Sequence, residues 1–339
     1  MSFAVKPFSA RAGDRIGTAY ELTDSAGTVR AEVWPMCGFN CLRWQVRQPD
    51  GTWGSILYTA PDWETNPVPT RSGHPILFPF PGRLRDGRLQ ANGKTYQLPL
   101  NDSTKLHAIH GFTPRNAWRS GLIHEMTNSA SLGGILELQH DLPAAIGLWP
   151  SSFLLGVSYT LSTDQLAVNA CVQNCGSEPL PFGLGYHPYF RLPGVTDTDV
   201  GGHVLQANVS RVWEADANNL PTGTTREVPA ELDFRKPRTI GSTALDHVLT
   251  RVMKLAWPMT ELAVLSHPQA TGKLRIFADP EFRELVLFTP AHRQAVAIEP
   301  YTCSADASNL AARGIDSGWI TLPPGAKWEG RVEYRWEVT

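Results

Sequence analysis

The sequence predicts an all-β fold, a large antiparallel sandwich with few and short helices. Glycine and proline account for 29 and 27 of the 339 residues, a content that favours many turns over long helices. Short segments in which apolar and polar residues alternate, as they do in half-buried strands, recur along the chain. No amphipathic helical pattern extends beyond about three turns, the average length of a globular helix. These features are typical of antiparallel sheets that pack face to face.

The N-terminal half of the chain is predicted to form hairpins. Within residues 18–34, Val29, Ala31 and Val33 alternate with charged residues after a turn rich in Asp, Ser and Gly. The other predicted strand pairs are residues 40–45 with residues 52–58, and the two sides of the Asn92-Gly93 turn between Leu89 and Tyr96.

The C-terminal half continues this pattern and contains the clearest strand. From Gly330 to Val338, apolar and charged residues alternate strictly after a Pro-Pro-Gly turn. Residues 305–313 are predicted to form one short helix, whereas residues 194–245 are polar, rich in turns and receive no assignment. The remaining predicted strands are residues 153–161, 165–173, 284–289 and 295–299.

Residues 1–339 are predicted to form a single domain, because no linker, composition break or internal repeat divides them. The chain carries five cysteines, and an odd number fits free buried thiols better than a disulfide framework. Residues 1–15 lack the apolar core of a signal peptide, and no stretch approaches the ~20 apolar residues of a membrane span. We therefore expect a cytoplasmic protein without a membrane segment.

Charge and motifs exclude several classes of function. A net charge of -2 provides no basic surface for nucleic acid or for an anionic membrane. Cys37 and Cys41 share the spacing of Cys171 and Cys175, but neither pair lies in a glycine-rich zinc knuckle, so we expect no metal. The sequence does not decide between a monomer and a homodimer.

His187 and Glu299 are the candidate catalytic residues. His187 follows a short, glycine-containing apolar strand, and Pro188 restricts it to extended conformations. Glu299 ends another apolar run, residues 295–298. A single buried histidine or glutamate is more often structural than catalytic. Together, a histidine and a carboxylate could flank a small polar substrate as an acid–base pair.

Five short motifs, in this order and spacing, resemble the aldose 1-epimerase (galactose mutarotase) family. The resemblance extends from about Pro75 to Thr321. The motifs are Pro75-Ile-Leu-Phe-Pro-Phe-Pro-Gly-Arg-Leu84, Ile109-His-Gly-Phe112, Gly185-Tyr-His-Pro-Tyr-Phe190, Leu245-Asp-His247 and Glu299-Pro-Tyr-Thr-Cys303, the last followed by Asp306-Ala307 and Asn309.

The resemblance implies an isomerase that interconverts the α and β anomers of a free aldohexose, without a cofactor, on a large antiparallel β-supersandwich. By that resemblance, His187 corresponds to the family's general acid and Glu299 to its general base. Arg83, His110 and Asp246 would contact the sugar hydroxyls. We expect Glu299 to be ionised and His187 protonated in the resting enzyme, with Asp246 favouring the charged imidazole.

Two alternatives remain at this point. The run from His110 to Arg115 is also similar to the hexose-6-phosphate branch of the family, in which case four arginines, Arg85, Arg88, Arg115 and Arg191, could bind a phosphate. A non-catalytic carbohydrate-binding protein that kept the cleft is the other alternative. The family often has asparagine where this chain has Gly82. The preferred sugar depends on how residues 58–73 and 194–245 cover the cleft.

Overall fold

The computed structural model describes residues 2–253 and 258–339, and within them strands predominate. The strands of the first half are β1 (Phe3–Ala12), β2 (Arg15–Asp24), β3 (Val29–Trp34), β4 (Asn40–Arg47), β5 (Trp53–Ser55), β6 (Ile76–Leu77), β7 (Arg83–Leu84), β8 (Arg88–Ala91), β9 (Lys94–Gln97), β10 (Ala108–Ile109), β11 (Arg119–Glu125), β12 (Ala130–Glu137), β13 (Phe153–Leu161) and β14 (Gln165–Asn174). Those of the second half are β15 (Leu180–Phe182), β16 (Gly185–Tyr186), β17 (Tyr189–Phe190), β18 (Val204–Ala207), β19 (Val209–Ala215), β20 (Pro221–Glu227), β21 (Arg238–Thr239), β22 (Asp246–Val252), β23 (Thr260–Ser266), β24 (Gly272–Ala278), β25 (Glu284–Phe288), β26 (Val296–Tyr301), β27 (Ile320–Leu322) and β28 (Lys327–Val338).

Helices are few and short, as the sequence predicts. The α-helices of the described residues are α1 (Leu138–Asp141) and α2 (Ala307–Ala312), and α2 lies within the predicted helix. Single 3₁₀ turns occupy Pro35–Cys37, Pro69–Arg71, Arg85–Gly87, Thr113–Arg115, Pro143–Ala145, Val200–Gly202 and Ala230–Leu232. None of the helices in the described ranges has both the length and the apolar character that a transmembrane helix requires.

Three large antiparallel sheets make up most of the described part of the chain, which confirms the predicted all-β class. A five-stranded sheet runs in the order β1-β2-β3-β4-β5, and a nine-stranded sheet in the order β11-β12-β13-β14-β28-β24-β23-β18-β21. An eight-stranded sheet has the order β20-β19-β22-β25-β26-β16-β6, with β17 also paired to β26. Small two-stranded sheets join β7 to β10, β8 to β9 and β15 to β27.

The core lies between the nine-stranded and the eight-stranded sheets. Alternate residues of β28, including Val332 and Tyr334, are buried, as the alternation predicts. The ring of Tyr334 meets that of Phe190 from the eight-stranded sheet at 5.7 Å between centroids. Trp44, on the five-stranded sheet, belongs to the same apolar cluster. The eight-stranded sheet therefore has one face against this core and carries the candidate site on the other.

Candidate active site

The strand register places His187 directly across from Glu299. Gly185 pairs with Tyr301, and Tyr189 pairs with Ala297, in antiparallel register along β26. Counting inward from both pairs sets His187 opposite Glu299, and side chains opposite each other lie on the same face of a sheet. His187 Nε2 and Glu299 Oε1 are 3.4 Å apart. Residues 112 positions apart in the chain thus become cross-strand neighbours.

Two tyrosines hold this pair. The Tyr301 hydroxyl donates to Glu299 Oε2 at 2.6 Å. Its ring lies over Gly185, where a Cβ atom would be only 2.5 Å from Tyr301 Cδ1, so any larger residue at 185 would displace the ring. The ring of Tyr189 stacks on His187 at 4.7 Å between centroids, and its hydroxyl lies 3.4 Å from His187 Nε2. Gly185 therefore has a specific packing role beside His187 and Glu299.

Asp246 reaches the site through two further strands of the same sheet. Phe288 of β25 is the partner of Ala297 on one side and of Asp246 on the other. Asp246 therefore lies on the same face as Glu299, at the start of β22. Burial raises the pKa of the Asp246 carboxyl, and the Arg83 guanidinium is the strongest of the opposing influences.

Arg83 and His110 come from the small sheet of β7 and β10, which lies beside the pair. Ile109 pairs with Arg83, and His110 Nδ1 accepts a hydrogen bond from the Gly82 amide at 3.2 Å. Because Nδ1 accepts, the proton of the neutral ring is on Nε2, which can donate to a sugar oxygen. Gly82 has φ +66°, and a Cβ there would be 2.8 Å from Ala305 Cβ, so the fold favours glycine at this position.

Burial acts against the charges that the sequence predicts for the pair. Burial raises the pKa of the Glu299 carboxyl well above its usual range, and the hydrogen bond from Tyr301 opposes this only in part. Burial lowers the pKa of the His187 imidazole to about 3. With side chains 1% and 8% exposed, desolvation disfavours both charges. Desolvation therefore opposes both of the charges expected from the sequence, the ionised Glu299 and the protonated His187.

A cleft of about 530 Å³ contains all five residues named from the sequence: Arg83, His110, His187, Asp246 and Glu299. It also contains residues that no sequence motif singles out, namely Trp213, Asn219, Val248, Val286 and Phe288. Trp213 is in the wall of this cleft, on β19.

A comparison with protein families identifies the chain. The family model for aldose 1-epimerase matches residues 36–335. This chain belongs to the aldose 1-epimerase family. Among curated relatives, an uncharacterized protein named YihR from Escherichia coli K12 is 30% identical over 242 residues, 71% of this chain and 72% of that protein. The galactose mutarotase of Rattus norvegicus is 28% identical over 160 residues, 47% of this chain and 44% of that protein.

Solved structures share the fold of this family member over its whole length. A galactose mutarotase-like protein from Clostridium acetobutylicum superposes with a TM-score of 0.83 at 21% identity, covering 100% of this chain and 99% of that one. A galactose 1-epimerase from Lactobacillus acidophilus gives a TM-score of 0.76 at 20% identity, covering 99% of each chain. The supersandwich implied by the family resemblance is thus confirmed.

A second buried carboxyl lies on the same face of the sheet in this epimerase-family chain. Glu284 is fully buried opposite Tyr301, and it accepts hydrogen bonds of 3.0 Å from Trp213 Nε1 and from Thr250 Oγ1. Burial raises the pKa of Glu284 to about 8, although both hydrogen bonds oppose the rise. The folded protein therefore keeps a proton on Glu284 that the unfolded chain releases at lower pH.

Glu284 should make the protein less stable as pH rises. Between the ordinary pKa of 4.5 and the folded value of about 8, the folded state binds the extra proton, so the free energy of unfolding falls with increasing pH. Glu284→Gln should weaken this dependence, because an amide does not titrate. The substitution should preserve the local packing, since the amide oxygen can still accept the hydrogen bond from Trp213. Urea unfolding of both proteins at about pH 5 and about pH 9 measures it. Equal pH slopes in the two proteins would contradict the assignment.

Proposed function

We propose that this protein is a mutarotase that interconverts the α and β anomers of a free aldohexose by acid–base catalysis. The observation that supports this most strongly is His187 opposite Glu299, 3.4 Å apart, in a cleft that also holds Arg83, His110 and Asp246. Mutarotation requires a base at the C1 hydroxyl and an acid at the ring oxygen, and the pair offers both within one sugar's reach.

Ring opening moves two protons. Ionised Glu299 takes the proton of the C1 hydroxyl, the C1–ring oxygen bond breaks, and protonated His187 delivers a proton to the ring oxygen. The product is the open-chain aldehyde with a neutral carboxyl and a neutral imidazole. After rotation about the C1–C2 bond, the reverse transfers close the ring on the other face. Every proton is returned, so no cofactor is needed.

Burial favours the neutral form of both groups, and this neutral pair is the state that ring opening leaves behind. It holds the same total number of protons as the charged pair and differs by one transfer across 3.4 Å. A bound cyclic sugar brings hydroxyl groups that can hydrogen-bond to both charges and offset the desolvation that disfavours them. We propose that sugar binding shifts the proton from Glu299 to His187 and so prepares ring opening.

The remaining groups would position the sugar. Neutral His110 can donate from Nε2, Arg83 can donate from its guanidinium, and Asp246 can accept from a hydroxyl. The cytoplasmic location, the single domain, the absence of a cofactor and the monomeric or homodimeric state stay predictions from the sequence.

Optical rotation tests the proposal directly. Freshly dissolved α-D-galactose or α-D-glucose should approach its equilibrium rotation faster with the protein than in buffer alone. Absence of any acceleration with either sugar would remove the proposal.

A hexose-6-phosphate epimerase is the second candidate, favoured by Arg115 and Lys105, which both line the cleft. The four-arginine pocket considered from the sequence does not form. Arg85 is paired with two aspartates, and Arg191 donates to the carbonyl of Asp197. A phosphate site would therefore depend on Arg115 and Lys105, without the other arginines.

Arg115→Ala separates the two functions. For a free-sugar mutarotase, the variant should keep its rate with galactose, and inorganic phosphate should not compete. For a sugar-phosphate epimerase, the variant should lose about tenfold or more in kcat/KM with glucose 6-phosphate, since a charged hydrogen bond is removed. Polarimetry with both substrates distinguishes the two functions. Arg88→Ala is the control, because Arg88 is exposed and lies outside the cleft. We expect the free-sugar result.

A further inference from the structure

The tip of the β19–β20 hairpin forms part of the cleft wall. Residues 216–220 connect the two strands, and Ala215, Asn219 and Pro221 all line the cleft. This tip lies in the region that the sequence leaves unassigned. Because the tip lies beside Asp246, it is a candidate for recognising the hydroxyl groups of a bound sugar.

Hydrogen bonds within the tip fix the backbone around Asn219. Asp216 Oδ1 accepts from the amides of Asn218 at 2.8 Å and Leu220 at 3.2 Å. The Asn219 amide donates to the Asp216 carbonyl at 3.0 Å. Asn219 has φ +59°, a left-handed conformation that asparagine tolerates better than most residues. The side chain of Asn219 is therefore presented from a defined backbone.

Arg85 connects this tip to the segment that precedes α2. Its Nη2 lies 2.7 Å from Asp216 Oδ2, and its Nε lies 3.5 Å from Oδ2 of Asp306, which precedes α2. The backbone amide of Arg85 donates to Asp306 Oδ1 at 2.9 Å. Arg85 thus bridges two carboxylates, which explains why it does not serve as an anion-binding residue.

Asn219 holds the carboxylate of Asp246. Its Nδ2 donates to Asp246 Oδ2 at 2.6 Å. Among residues 2–253 and 258–339, neither Asp246 Oδ1 nor the Asn219 amide oxygen has a hydrogen-bond partner. Asp246 Oδ1 and the Asn219 amide oxygen are therefore two free hydrogen-bond acceptors on adjacent side chains in the wall of the cleft. This arrangement suits two adjacent hydroxyl groups of a pyranose, each of which donates one proton.

We propose that Asn219 is a specificity-determining residue that orients the Asp246 carboxylate and accepts a hydrogen bond from the hydroxyl next to the one bound by Asp246. The inference rests on the proposed mutarotase function and assigns recognition of the sugar hydroxyl groups to the β19–β20 hairpin tip. Arg85 maintains the geometry by holding the hairpin tip.

Kinetics with deoxy sugars test the inference. Asn219→Ala should lower kcat/KM for the preferred hexose by about tenfold, mainly through KM, because a hydrogen bond to the sugar and the support of Asp246 are both lost. Among the monodeoxy forms of that hexose, the one that lacks the hydroxyl contacted by Asn219 should show a smaller difference between wild type and variant than the others do. Asn219→Asp, of equal size, should lose at least as much, because a carboxylate cannot donate to Asp246.

Asn218→Ala is the matched control, as Asn218 lies in the same tip with an exposed side chain outside the cleft. It should keep wild-type KM for every sugar. If Asn219→Ala has wild-type KM for all sugars, or if its loss is equal for every deoxy sugar, the inference is overturned while the mutarotase function stands. If the wild type itself does not accelerate mutarotation, the proposed function fails instead. Should Asn219→Ala unfold, as judged by circular dichroism, Asn219→Gly removes the same side chain at a left-handed position that glycine adopts readily and carries the same comparison.

Discussion

Glu299→Gln should slow catalysed mutarotation by about 10²–10⁴-fold, the range that general acid–base catalysis contributes. Glutamine cannot take the proton of the C1 hydroxyl at any accessible pH. The fold should survive, because the amide oxygen can still accept the hydrogen bond from Tyr301 and the residue has the same size. Polarimetry with fresh α-D-galactose measures the loss, and circular dichroism verifies the fold.

Glu329→Gln is the control for this substitution, since Glu329 is exposed on β28 and lies outside the cleft. It should retain full activity. A Glu299→Gln protein that accelerates mutarotation as well as the wild type would contradict the role of base. Sugar binding that persists in Glu299→Gln, in a protein whose wild type has no rate effect, would instead indicate a non-catalytic carbohydrate-binding protein.

His187→Asn should cause a loss of similar size, again about 10²–10⁴-fold, and mainly in kcat. The ring is almost fully buried against Tyr189, so the variant loses the acid and leaves a small gap, while Arg83, His110 and Asp246 keep their places. Sugar affinity should therefore fall much less than the rate. Polarimetry over a range of sugar concentrations separates the two effects.

The double variant distinguishes a pair that acts together from two independent residues. Because both proton transfers belong to one ring-opening step, the combined loss should be little larger than that of either single variant. Losses that multiply would contradict a concerted pair. A His187→Asn protein with wild-type kcat would contradict the role of the acid.

The sequence predicted those parts of the fold that depend on local patterns. The alternation in β13, β14 and β28 and the Asn92-Gly93 turn correspond to observed strands and a hairpin. The pattern fails where tertiary contacts decide burial. Glu333 of β28 is buried between Arg331 and Arg335, and Val338 is 75% exposed at the strand end.

The members of the candidate site were predictable, but their geometry was not. β16 and β17, which flank His187, are two residues long and carry no measurable period. Their register with β26 depends on partners far along the chain, so no local pattern sets His187 directly opposite Glu299. The pKa values of the pair depend on burial by the whole sheet, which disfavours both charges and which the sequence pattern does not reveal. Asn219 lay in a region without any pattern.

A crystal structure of the Glu299→Gln protein with a bound hexose, which this variant turns over slowly, would show whether His187 and residue 299 face the reacting atoms of the sugar. We predict that the ring oxygen lies about 3 Å from His187 Nε2 and that the C1 hydroxyl lies about 3 Å from the side chain at position 299. A sugar that binds outside this cleft, or whose anomeric carbon faces away from both side chains, would contradict the account.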